Sequence, residues 1–197
     1  MARGTDTPLG AVLAGGSGSR LGGAKATVEL AGRPLLSYPL AAFAAAGIEP
    51  LVVAKAETEL PPLECPVLRE PEEPRHPLAG IVAALREAGG RPLVVLACDM
   101  PLADPALLAE LAAAPEPLVV PVPGGRPQPL QARYSAALLP ALAAALGRRE
   151  PLRRTVEALS PRLLDDAELA RFGDLERLFL NVNDASDLRR AADILSR

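Results

Sequence analysis

Lysine and side-chain amides are nearly absent from this chain. Its 197 residues hold two lysines (Lys25, Lys55), two asparagines (Asn181, Asn183) and two glutamines (Gln128, Gln131). Selection against heat-labile amides would produce that bias, and so would GC-rich codon usage. Under either pressure the few that remain stand out as candidates for work other residues cannot do. The single histidine, His76, sits in a Pro/Glu-rich stretch at 70–77 with no acid–base partner nearby, so it reads as a loop residue rather than a catalyst. Cys65 and Cys98 have no metal-ligand spacing and read as small, reduced, buried residues. No apolar run approaches membrane-spanning length, and the opening MARGTDTPLG lacks the apolar core of a signal peptide. A net charge of -3 offers no basic face for nucleic acid. These absences predict a cytoplasmic protein with neither a membrane nor a nucleic-acid partner. They also leave no Ser/His or Cys/His arrangement for nucleophilic catalysis.

What is present begins at residues 13–25, LAGGSGSRLGGAK, directly after the apolar run Leu9–Leu13. A buried strand, a loop with five glycines and then a lysine is the layout of a phosphate site. Glycines let backbone N–H groups converge on an anion, and Arg20 and Lys25 supply opposing charge. A merely flexible turn is the plain alternative. The spacing excludes two common lookalikes. A P-loop joins Gly-Lys-Ser/Thr, whereas Ala24 separates Gly23 from Lys25 and Ala26 follows; a dinucleotide fingerprint needs a third glycine where this chain has Leu21.

Strand-like and helix-like segments alternate along the rest. Strands are expected at Leu9–Leu13, 51–54, 67–68, 92–97, 118–122 and 130–134. Helices are expected at 34–46, around Leu78, Ile81, Val82 and Leu85, after Asp104-Pro105, at 136–146 and around Leu188, Ala191, Ala192 and Leu195. The wholly apolar PLVVLA at 92–97 has the character of a central parallel strand covered on both faces. The pattern predicts a single domain spanning 1–197: a doubly wound, mostly parallel α/β sheet with helices on both faces and ligands at the carboxyl ends of its strands.

Asp99 ends the most hydrophobic strand. If that strand neighbours the first, its carboxylate lies beside the glycine loop and suits Mg²⁺ on nucleotide phosphates, since that ion needs only one or two protein carboxylates. Asp99 could instead cap the next helix, but Asp104 before Pro105 already fills that role. Asn183 or Asp184 is a candidate cap for the last helix, with Asp187 as box partner. Arg148, Arg149, Arg153 and Arg154 form either a solvated face or a capture site for an anionic acceptor.

The 13–25 run resembles the signature of the nucleotidyltransferases that build nucleotide sugars and related activated pyrophosphates. Its Gly22-Gly23-Ala24-Lys25 ending is similar to that of the molybdenum cofactor guanylyltransferases. Asp99-Met100-Pro101, Pro77-Leu78-Ala79-Gly80, Gln128-Pro129-Leu130 and Asn181-Val182-Asn183 with Asp187-Leu188 resemble further elements of that family, across nearly the whole chain. The resemblance implies a Rossmann-like nucleotidyltransferase that moves GMP from GTP to molybdenum-molybdopterin and releases pyrophosphate. It implies a GTP- and Mg²⁺-binding N-terminal half and an acceptor-binding C-terminal half. Arg20, Lys25 and Asp99 would be catalytic, with Asp99 the metal ligand. Leu13, Ala14 and Gly15 with Pro77, Leu78, Ala79 and Gly80 would form the guanine pocket, with Gly16, Lys25 and Glu70 further nucleotide contacts. Gln128, Asn181 and Asn183, with Gln131, would meet the pterin, whose edge carries both donors and acceptors. Transient contacts with other cofactor-biosynthesis proteins or recipient apo-enzymes would follow.

Two positions depart from the family. The segment after the second strand reads Val53-Ala54-Lys55 where an asparagine is common, and Glu70 stands in place of an aspartate. The competing readings are a cytidylyl- or sugar-phosphate nucleotidyltransferase and a non-catalytic nucleotide sensor. The first tends toward Ala-Ala-Gly or a Pro-Leu-Thr-like stretch, which this chain lacks. Retention of Lys25 and Asp99 speaks against the second.

Overall fold

The computed structural model describes residues 7–16, 21 and 25–196. Seven strands form one sheet. In chain order they are β1 (Leu9–Leu13), β4 (Glu49–Lys55), β5 (Val67–Glu70), β6 (Leu93–Ala97), β7 (Leu118–Pro121), β8 (Gln131–Tyr134) and β9 (Arg162–Leu164). A separate hairpin pairs β2 (Glu29–Leu30) with β3 (Arg33–Pro34). The sheet order is β5-β4-β1-β6-β8-β7-β9, parallel throughout except for β8, which runs antiparallel to both β6 and β7. This is the mostly parallel, doubly wound sheet expected from the sequence.

Apolar periodicity explains the layering. All five residues of β6 are buried, because helices cover both faces. On one face Val12, Val94 and Leu96 pack with Phe43 of α1 (Ser37–Ala45) and with Leu107, Leu108 and Leu111 of α3 (Pro105–Ala113). On the other, Ala11, Val53 and Val95 pack with Leu78, Ile81 and Leu85 of α2 (Pro77–Glu87), Leu142 of α4 (Leu139–Gly147) and Val156 of α5 (Leu152–Ala158). Helices α6 (Asp166–Leu169) and α7 (Leu175–Leu178) follow β9. A third cluster joins Leu30 and Leu35 of the hairpin region to Leu180 and Val182 ahead of α8 (Ala185–Leu195) and to Ala191 within it.

The strand order sets the position of the site. The chain moves from β1 outward through β4 to β5, then crosses back to lay β6 on the other side of β1. That reversal leaves a crevice at the carboxyl ends of β1 and β6, where such sheets bind ligands. Leu13 and Ala97, the last residues of those strands, are register partners.

Several boundaries differ from the sequence expectation. The first helix begins at Ser37 rather than 34, because Ala31 (φ 47°) and Gly32 (φ 77°) close a two-residue hairpin turn that draws Pro34 into β3. The expected 136–146 helix is a 3-10 turn at Ala136–Leu138 followed by α4. Asp104 caps α3 as expected, accepting from the N–H groups of Ala106 (2.8 Å) and Leu107 (3.0 Å). Both cysteines are free thiols; Cys98 is buried and Cys65 half-buried. No helix among the described residues is long and apolar enough to cross a membrane.

Candidate active site

A cavity of about 460 Å³ opens at the crevice. Its floor is Leu13 and Ala97, where β1 and β6 end, with Val53 of β4 in register beside Leu13. One wall is Gly15 and Gly16 with Lys25; the opposite wall is Pro77 and Gly80 at the start of α2. Glu70 ends β5, Arg75 and His76 come from the loop between β5 and α2, Leu130 from the turn before β8, and Asn183 from the segment before α8. Segments far apart in sequence thus converge because each strand's carboxyl end feeds the same edge of the sheet.

The polar centre is a cation held between two acceptors. Lys25 Nζ donates to Asp99 Oδ2 at 2.6 Å and to Asn183 Oδ1 at 3.0 Å. Asp99 is positioned by β6, and its backbone carbonyl accepts from Val182 N–H (2.8 Å). Leu180 and Val182 are buried in the third cluster, which anchors the segment carrying Asn183 against Asp99. Asp184 then caps α8 through the N–H groups of Ser186 and Asp187, while Asp187 Oδ2 accepts from Asn183 N–H (2.9 Å). The cap is therefore Asp184, which leaves the Asn183 side chain for the site.

Asp99 Oδ1 is buried and has no hydrogen-bond partner among the described residues. A buried carboxylate oxygen without a partner is costly, and a cation beside it would remove that cost. No cluster of three or more His, Cys, Asp or Glu among the described residues could cage a metal. One carboxylate therefore fits a hard cation whose remaining ligands come from phosphate and water, and does not fit an all-protein metal centre.

The glycine wall retains unused donors. Leu13 C=O accepts from Cys98 N–H (3.1 Å) and Ala14 N–H donates to Val53 C=O (2.8 Å), so these groups are spent on the sheet. The N–H groups of Gly15 and Gly16 carry no hydrogen bond among the described residues. At the other wall His76 caps α2: its Nδ1 accepts from Leu78 N–H (3.2 Å) and its carbonyl from Ala79 N–H (2.9 Å). Gly80 is needed for close approach, since a Cβ there would lie 3.1 Å from Leu13 Cδ2. Cys98 lines the cavity but is chemically quiet: burial, and secondarily the Asp99 carboxylate, push its thiol up to about 12.

The cavity gathers Leu13, Gly15, Gly16, Lys25, Glu70, Pro77, Gly80, Asp99 and Asn183 from the residues singled out in the sequence. It leaves out Ala14, Leu78 and Ala79, which are buried. Gln128 forms a turn with Gln131 through backbone groups (3.0 Å), and Gln131 is wholly buried in β8 with an amide that has no partner among the described residues. Asn181 donates to Phe179 C=O (3.1 Å) and is not on the wall. Arg20 lies outside the described residues. Arg148 and Arg153 pair with Glu150 (2.8 Å) and Glu157 (2.9 Å) on an exposed surface, away from the cavity. Lys55, Arg75 and Leu130 line the site without having been singled out for it. The scarcity of lysine and the departure at Val53-Ala54-Lys55 were the signals that pointed at Lys55.

Backbone donors at Gly15 and Gly16 beside the Lys25–Asp99 pair, at the switch point of such a sheet, are the setting of a nucleotidyltransferase. Comparison with known proteins narrows this. Residues 10–163 match the family model described as the MobA-like NTP transferase domain. The molybdenum cofactor guanylyltransferase of Cereibacter sphaeroides is 35% identical over 195 residues, covering 96% of this chain and 97% of its own. Among solved structures, molybdopterin-guanine dinucleotide biosynthesis protein A of Archaeoglobus fulgidus superposes with a TM-score of 0.81 at 28% identity, over 95% of this chain and 98% of that one. A 2-C-methyl-D-erythritol 4-phosphate cytidylyltransferase from Thermus thermophilus shares the fold at 21% identity and a TM-score of 0.69, over 96% of this chain and all of that one. The chain belongs to the MobA-like NTP transferase family.

Proposed function

We propose that this protein transfers GMP from GTP to the terminal phosphate of molybdenum-molybdopterin. An acceptor phosphate oxygen attacks the α-phosphorus of GTP, the bond from that phosphorus to the bridging oxygen breaks, and pyrophosphate leaves with the electron pair. The acceptor is already an anionic nucleophile, so no general base is required, in keeping with a cavity whose one histidine is spent on capping α2. What remains for the protein is positioning and charge neutralisation.

The observation that carries the reading is the Lys25–Asp99–Asn183 contact, which joins the glycine loop, the central strand and the C-terminal segment. In this scheme Lys25 and Arg20 face the triphosphate, and the Gly15 and Gly16 N–H groups bind its anionic oxygens. Asp99 would hold Mg²⁺, which supplies charge neutralisation when bound. Glu70 and the Pro77–Gly80 wall meet the nucleoside, with Leu78 and Ala79 shaping that wall from behind. Asn183 lies toward the pterin; Asn181 and Gln128 support the turns beside it. The chain then works as one domain in the cytoplasm, its N-terminal half binding nucleotide and its C-terminal half binding acceptor, before handing product to apo-enzymes or biosynthetic partners.

Calorimetry with GTP, CTP, ATP and UTP in the presence of Mg²⁺ tests the nucleotide half of this proposal. GTP should bind more tightly than the others by about 10²-fold or more, since buried hydrogen-bonding groups discriminate strongly between bases. Equal binding of CTP or ATP would overturn the guanine assignment.

A further inference from the structure

Lys55 is the second lysine of the chain. It stands on the cavity wall, yet it is only 5% exposed. A buried ammonium is costly unless it is paired and hydrogen-bonded, and its surroundings meet that demand. Lys55 Nζ lies 3.2 Å from Glu70 Oε1 and donates to Pro71 C=O (3.0 Å) and Pro74 C=O (2.9 Å). An ammonium has three N–H donors and no acceptor. Two of them are thus spent on backbone carbonyls, and the Glu70 carboxylate already balances the charge.

Each of these three partners belongs to a part of the nucleotide pocket. Lys55 ends β4 in direct register with Glu70 at the end of β5. Pro71 and Pro74 lie in the loop that runs from Glu70 to His76, the cap of α2, and so to the Pro77–Gly80 wall. The glycine wall packs on the same pair: a Cβ on Gly15 would lie 3.4 Å from Lys55 Cγ and 3.7 Å from Glu70 Oε1. Arg69 holds the backbone on the far side, with Nη1 donating to the carbonyls of Lys55 (2.9 Å) and Thr58 (2.7 Å).

We propose that Lys55 is a positioning residue for nucleotide binding: it fixes the Glu70 carboxylate and the 71–74 loop in place before the nucleotide arrives, without touching the ligand itself. The assignment rests on the nucleotidyl-transfer reading above. Fixing these groups in advance removes an ordering cost from binding. The reacting centre at Lys25 and Asp99 is held by other elements, so its function should survive the loss of Lys55.

Steady-state kinetics of Lys55→Met and Lys55→Arg, with GTP varied at saturating acceptor, test this. Lys55→Met should raise KM for GTP by about tenfold or more while kcat stays within about twofold, the pattern of lost ground-state binding. Lys55→Arg keeps the charge but replaces a tripod of donors with a planar fork, and should give an intermediate KM with the same kcat. Trypsin should cut after Arg75 faster in both variants than in the wild type, and GTP should restore protection. Should the methionine variant fail to fold, the arginine variant decides. An unchanged KM in the folded variants, or a fall in kcat with KM unchanged, would overturn the assignment. Failure of the wild type to bind GTP would instead overturn the nucleotide reading, and this assignment with it.

Discussion

The ammonium of Lys25 lies 2.6 Å from Asp99 Oδ2, across 74 residues of sequence, and both side chains are largely shielded, at 13% and 19% exposure. The contact joins the end of the glycine loop to the end of the central strand. It also sets two opposite charges against each other on the lining of the cavity.

Lys25→Ala should therefore lower turnover by about 10²-fold or more, the scale seen when a group that stabilises transition-state charge is removed. Asp99→Ala should abolish the response of activity to added Mg²⁺. A magnesium titration of each variant measures both. Wild-type magnesium dependence in Asp99→Ala would place the ion elsewhere.

Gly80→Val should close the pocket. Even a bare Cβ at this position approaches Leu13 Cδ2 to 3.1 Å, and two further methyl groups would be driven into the β1 floor. Overpacking of this kind costs about 1–3 kcal/mol. Nucleotide affinity should fall at least as steeply as stability, because Leu13 and Gly80 both line the cavity. Parallel denaturant unfolding and calorimetry of the variant separate the two effects.

Asn183→Ala should impair acceptor use while leaving GTP affinity within about threefold, a change of under about 1 kcal/mol, because Asp99 still holds Lys25. Asn181→Ala should act on the turn alone, because its amide donates to Phe179 C=O. Kinetics with molybdopterin varied distinguish them: a raised acceptor KM for the Asn183 variant is expected. Equal loss toward both substrates would assign Asn183 to the fold.

Alkaline stability provides a test of the core. Tyr134 is wholly buried, with its hydroxyl donating to Pro129 C=O (2.7 Å), and burial drives its pKa far above the usual 10.0. The folded state thus keeps a proton that the unfolded chain releases. Its contribution is complete below about pH 10 and is lost as pH rises above that value. Tyr134→Phe should flatten the fall in stability above pH 10, as read from denaturant midpoints at a series of pH values.

Much of this was legible in the sequence where local chemistry decides the outcome. β1 and β6 show as apolar runs, and Asp104-Pro105 announces its helix because a side-chain cap and a fixed φ are local properties. The β2–β3 hairpin was not legible, since two-residue strands leave no periodicity and an Ala-Gly turn is a weak signal. The position of Asp99 beside the start of the glycine loop followed from expecting β1 beside β6, but its contact with Lys25 did not. The Lys55–Glu70 pair did not, because it depends on the register between two strands separated by a long loop. Nor could the sequence divide the amides: only the packing of Leu180 and Val182 and the Asp184 cap determine that Asn183, rather than Asn181, reaches the cavity.

The central claim is the transfer itself. The most direct measurement incubates the protein with molybdenum-molybdopterin, Mg²⁺ and either GTP or CTP carrying a labelled α-phosphate, and follows the label by chromatography. Label from GTP should move into a pterin dinucleotide with one pyrophosphate released per transfer, and label from CTP should stay in the nucleotide. Transfer from CTP at a comparable rate, or pyrophosphate release from GTP without label in the pterin, would contradict the account.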